Sequence, residues 1–84
     1  MKLENFIVER HPDRVVYMFS NGYGASVICN EFSYGGDQGL KELAVLDSNR
    51  DITCDTPITN DVIGYLSDSA VHHYLEKIQD LNQL

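Results

Sequence analysis

Long apolar runs are missing from this sequence of 84 residues. No stretch approaches the roughly 20 consecutive apolar residues that a membrane-spanning helix needs. The opening MKLENFIVERHPD carries acids and no extended apolar segment, which does not read as a secretory signal. Bases are scarce: six Lys and Arg stand against 13 Asp and Glu, a formal net charge of −7. Phosphate backbones and anionic membranes should repel such a chain, so neither direct nucleic-acid binding nor membrane binding is expected. The deficit is uneven. Residues 51–84 hold six acids and a single base, Lys77. A partner protein with a basic surface fits that balance, although acids also serve simply to keep a small protein soluble.

Motif-level absences narrow the chemistry. Cys29 and Cys54 form no CxxC pair, and the apolar neighbours of Cys29 argue for a packed thiol rather than a disulfide or zinc knuckle. Gly22 and Gly24 could start a dinucleotide fingerprint, but Val27 stands where its third glycine belongs, and ASVIC reads as a strand rather than a helix. No Gly-Lys-Ser/Thr triplet exists for a P-loop. The stretch 47–51, DSNRD, begins like a calcium loop, yet Ile52 and Ile58 occupy the positions that need glycine and a bidentate glutamate. His72 and Glu76, four residues apart on one helical face, and the adjacent His73 offer too few ligands for zinc, and His11 or Cys54 would have to complete a site. No metal, cofactor or catalytic residue is therefore assigned, and the chain does not read as an enzyme.

What is present is strand and turn chemistry. The expected fold is α+β: a four-stranded antiparallel meander with a helix-turn-helix packed on one face, all in a single domain spanning 1–84. Strands are expected at about 3–10, 14–20, 23–30 and 40–47, with a short one at 51–54. Asn21-Gly22 between RVVYMFS and YGASVIC reads as a two-residue type I′ hairpin. That register pairs Met18 with Ala25 and Val16 with Val27 on one face, and Phe19 with Gly24 and Tyr17 with Ser26 on the other. The first face is expected to carry the helix and the second to form an interface. Gly35, Gly36 and Gly39 are read as loop glycines. Thr59 should cap a helix at about 60–66. Ser67 should cap a second, 68–81, with Val71, Tyr74, Leu75, Ile78 and Leu81 on one stripe.

The candidate contact surface joins aromatics with acids. Tyr17, Phe19, Phe32 and Tyr34 would supply buried area at low entropic cost. Asp51, Asp55, Asp61 and Asp68 would steer a basic partner.

The segments NGYGASVICNEFSYGGDQGLKELAVLD and TPITNDVIGYLSDSAVHHYLEKIQDL resemble a group of small proteins encoded by tailed bacteriophages. The shared pattern is an NGYG-S-V hairpin, a YGG-x-x-GL-x-ELAVL segment, and T-P-I-T-x-DVIG-x-L before a terminal helix, covering residues 21–81. The resemblance implies a phage-encoded protein made in the cytoplasm of an infected bacterium, and carries over no catalytic or cofactor-binding residue. The function expected is that of an accessory protein binding a bacterial host protein stoichiometrically, and thereby inhibiting a defence or housekeeping enzyme. The alternatives are a self-associating homodimer or minor virion or assembly component, with the Tyr17 and Phe19 face paired to its own copy, and, less favoured, a metal protein or enzyme using His72, His73, Glu76 or Cys54.

Overall fold

A computed structural model describes residues 2–59 and 61–82. Five strands, β1 (Ile7–His11), β2 (Arg14–Met18), β3 (Gly24–Ile28), β4 (Lys41–Leu46) and β5 (Ile63–Leu66), form one antiparallel sheet in the order of the sequence. A single helix, α1 (Asp68–Gln79), follows and lies across β3, β4 and β5. The fold is thus α+β, as the strand-then-helix pattern predicts, but with five strands and one α-helix in place of four strands and a helix-turn-helix. The expected first strand at 3–10 begins only at Ile7, after a 3₁₀ turn over Leu3–Phe6.

The β2–β3 turn is longer than expected. Phe19 N–H donates to the Tyr23 carbonyl at 2.8 Å and Gly22 N–H to the Phe19 carbonyl at 3.2 Å. Ser20, Asn21 and Gly22 therefore make a three-residue loop, in which Gly22 alone takes positive φ, 92°. This is the tight turn ending in a left-handed residue that three-residue hairpins favour. The register moves by one: Val15 pairs with Val27, Val16 with Ser26, Tyr17 with Ala25 and Met18 with Gly24. Because side chains alternate with period two, the slip exchanges the partners across the two faces. Val15, Tyr17 and Phe19 now share a face with Ala25 and Val27, and that face carries the helix.

Beneath α1, the core joins Phe19, Ala25, Val27, Leu43, Val45, Leu66, Val71, Leu75 and Ile78. Leu43 and Ile78 are fully buried. Phe6 meets the Phe19 ring edge-on at 5.2 Å between centroids. The helix forms where the apolar stripe predicts. Its first turn is capped by Ser67, whose Oγ accepts the Ala70 N–H at 3.2 Å, the local pairing that stabilises orphan amides at a helix start.

The other end of α1 is held by the hairpin tip. Asn21 Nδ2 donates toward the carbonyls of Ile78, Gln79 and Leu81 at 2.9, 3.2 and 3.1 Å, while Asn21 Oδ1 accepts the Tyr23 N–H at 3.0 Å. One side chain thus closes its own turn and adds a donor to carbonyls at a helix terminus.

The segment between β4 and α1 departs most from expectation. Ile52 bridges Leu46, and Thr53 N–H donates to the Val45 carbonyl at 2.9 Å, so the expected 51–54 strand shrinks to one bridge. The chain then leaves β4 and returns as β5, pairing Ile63 with Leu43 and Leu66 with Lys41. The expected helix at 60–66 is not formed over Ile63–Leu66; Asn60 lies outside the described residues. Thr59 does accept a backbone amide, that of Asp61 at 3.0 Å, but the turn it closes leads into a strand. A helix there would leave the edge of β4 unpaired between Lys41 and Leu43, and pairing prevails over the local cap signal.

Candidate functional site

The sheet has two unlike faces. Val16, Ala44 and Leu46 are buried yet stand outside the core under α1. They floor the opposite face, which no helix covers among the described residues. A cleft of about 560 Å³ opens there, lined by Val16, Ser26, Ile28, Leu46 and Ile52 with Glu9, Arg14, Arg50 and Asp51.

Charge organises its rim. Glu9, carried by β1, accepts from His11 Nε2 at 3.1 Å and Arg50 at 3.0 Å, with Arg14 at 3.6 Å. The hydrogen bond from His11 leads in holding the Glu9 carboxyl below its usual range; desolvation opposes it, and the hydrogen bond from Arg50 with the charges of Arg14 and Arg50 reinforces it. A bulge at the Ile7–Glu9 step brings Glu9 level with Val16 and aims it at the arginines. Arg50 comes from the 47–51 turn and takes φ of 64°. Asp47 builds that turn: its Oδ1 accepts the amides of Asn49 and Asp51 at 2.9 and 3.1 Å. The carboxylate that suggested a calcium loop is therefore engaged with its own backbone.

The expected contact residues do not converge. Phe19, 5% exposed, is a core residue beneath α1, and Tyr17 is half-buried beside it with ring centroids 6.4 Å apart. Desolvation raises the Tyr17 phenol above its usual value. The Tyr17 and Phe19 face cannot serve as the open interface, because the one-residue register slip turns it toward the helix. Phe32 is 88% exposed on the 29–40 loop. Tyr34, also exposed, lays its Cβ against Gly64, donates its amide to Glu42 Oε1 at 3.1 Å and accepts the Tyr65 amide at 3.1 Å. Asp68 pairs with Lys41 at 2.9 Å at the start of α1, which raises the Lys41 ammonium above its usual value. Asp55 and Asp61 are exposed along the excursion between β4 and β5. Only Asp51 lines the open-face cleft.

The glycine-rich loop bends the chain. Gly35 and Gly39, at φ of 86° and 74°, flank a short 3₁₀ turn. Asn30 Oδ1 accepts the amides of Phe32 and Ser33, and Ser33 Oγ accepts the Asn30 amide. Asn30 also donates to Asp13 at 3.0 Å, holding that carboxyl below its usual range.

His72 lies 3.3 Å from Glu76 on the exposed side of α1, and no third His, Cys, Asp or Glu joins them among the described residues. Cys29 is half-buried and Cys54 exposed, and both are free thiols, so only Cys29 approaches the packed environment expected of the pair.

The missed residues are Glu9, Arg14, Arg50 and Ile52. Arg50 lies within the DSNRD turn and Ile52 directly follows it, and their i, i+2 spacing out of a tight turn was the available signal. No helix among the described residues is long and apolar enough to cross a membrane. Compared with protein-family models, curated proteins and solved structures, the chain matches none of them.

Proposed function

We propose that this chain is a stoichiometric protein-binding module, a phage-encoded accessory protein that docks a bacterial host protein and blocks it. The contact surface is the helix-free face of the sheet, and the occupant is a protein whose basic rim surrounds an apolar protrusion. The carrying observation is the cleft over Val16, Ile28, Leu46 and Ile52, apolar at its floor and bordered by Asp51 beside the acidic 47–61 segment. Within 47–61 the single base, Arg50, already bonds Glu9; of the four acids there Asp51 lines the cleft, and Asp47, Asp55 and Asp61 belong to the same segment of chain. Charge of this sign accelerates encounter with a basic partner, while burial of Ile28 and Ile52 supplies the lasting contact.

The test uses the full chain immobilised in bacterial lysate at low salt. The expected result is one protein retained in equimolar ratio. Its affinity should fall about tenfold or more for Ile52→Asp, stay unchanged for Phe32→Ala and weaken as salt rises. A partner retained equally by Ile52→Asp would overturn the open-face assignment. A wild-type dimer that Ile52→Asp converts to monomer would establish self-association in its place.

A further inference from the structure

The tip of the β2–β3 hairpin holds a chemically labile pair. Asn21 is the only one of the six asparagines followed by glycine. In an Asn-Gly pair, no side chain on the following residue obstructs attack by its backbone nitrogen on the asparagine amide carbon. Gly22 N can therefore lose its proton and bond to Asn21 Cγ while ammonia leaves, closing a five-membered succinimide. Water then opens the ring to aspartate or isoaspartate.

The fold holds each participant away from that reaction. The leaving amide of Asn21 donates toward the Ile78, Gln79 and Leu81 carbonyls, its Oδ1 is held by the Tyr23 amide, and Gly22 N–H is engaged with the Phe19 carbonyl. Cyclisation requires the Asn21 side chain to swing from the helix end back onto its own peptide. Those contacts must break first, so the reaction samples only molecules in which the C-terminal end of α1 has parted from the hairpin. We infer that Asn21 is a deamidation site gated by docking of α1, and that its modification makes undocking irreversible.

Irreversibility follows from the product. A carboxylate at position 21 has no N–H to give, and it would face three carbonyl oxygens at the negative end of a helix dipole. The isoaspartate product additionally lengthens the backbone by one bond within a turn whose register depends on three residues. Neither product can restore the contacts that held the helix.

The full chain, incubated at mildly alkaline pH with and without unfolding guanidinium, tests the inference. Peptide mapping by mass spectrometry follows acid formation at position 21. Conversion in native buffer should be at least about tenfold slower than in the unfolded chain, because only locally opened molecules react. Equal rates in the two states would overturn the gate, and no conversion in the unfolded chain would remove the chemistry. Ile78→Ala, which loosens α1, should speed native-state conversion; an unchanged rate counts against control by docking. Asn21→Asp should lose hydrogen-exchange protection over residues 76–81 while β2 to β4 keep theirs. Retained protection there would refute the irreversible step. Should either variant fail to fold, the comparison on the unaltered chain decides alone.

Discussion

One sheet presents two faces built from nearly the same kinds of residue, and they behave differently. Under α1, Phe19, Leu43, Val45, Val71, Leu75 and Ile78 interlock across two layers. On the other face, Val16, Ala44 and Leu46 are as well buried, but Val16 and Leu46 share an open cleft with Ile28, Ile52 and the Glu9–Arg14–Arg50 cluster rather than a second layer. Apolar content therefore does not separate the packed face from the open one. The lid does: one is packed and interlocking, the other is a set of side chains that can be displaced. The first contributes stability, and the second, under the proposed function, exchanges its cover for a partner.

The largest expected effect tests the packed side. Ile78→Ala should destabilise the protein by about 2–5 kcal/mol in guanidinium unfolding, the range for truncating a fully buried aliphatic. Ile52→Ala, at an exposed open-face position, should stay within about 0.5 kcal/mol. Equal losses would erase the distinction between the faces. Next comes Asn21→Ala, which removes the side-chain donor shared by the Ile78, Gln79 and Leu81 carbonyls and should cost about 1–2 kcal/mol by the same measurement. Gly64→Ala should cost about 1–3 kcal/mol, since its methyl would strike Tyr34 and force the loop off β5.

The smallest effect is electrostatic and belongs to the open face. The folded-state pKa of Glu9 lies below the ordinary 4.5. Its stabilising contribution is therefore full above that value and is lost as pH falls through the lower, folded one. Glu9→Gln should flatten this part of the acid unfolding profile, and Arg50→Ala should flatten it partly. A profile unaltered in both variants would mean that the cluster does not tie the face together.

Much of this architecture was legible. The Val71, Leu75 and Ile78 spacing located α1, Ser67 marked its start, and the β-branched runs located β2 to β4. What escaped was non-local. Asn-Gly announces a hairpin, but two- and three-residue turns both use a glycine at positive φ. The longer turn here coexists with an Asn21 amide engaged by carbonyls 57 to 60 residues away. That single residue of register decided which of Ser26 or Val27 stood beside Val16, and with it the partners of Tyr17 and Phe19. The β5 pairing was hidden for the same reason. VIGYL is short, carries a glycine, and has its strand partner on the far side of the excursion. Once the helix-bearing face was misassigned, the candidate surface followed it, and only Asp51 of the proposed residues remained at the cleft.

The two flanks of the sheet limit how this molecule could join others. β5 is four residues long and contains Tyr65 in a left-handed conformation, φ 57°, a kink that breaks the regular row of donors and acceptors. At the far flank the irregular step after Ile7 twists β1, and Glu9, Arg10 and His11 load it with polar groups. Neither margin is a template on which a further strand could be laid in register. Growth into ribbons or filaments by strand addition is thereby disfavoured.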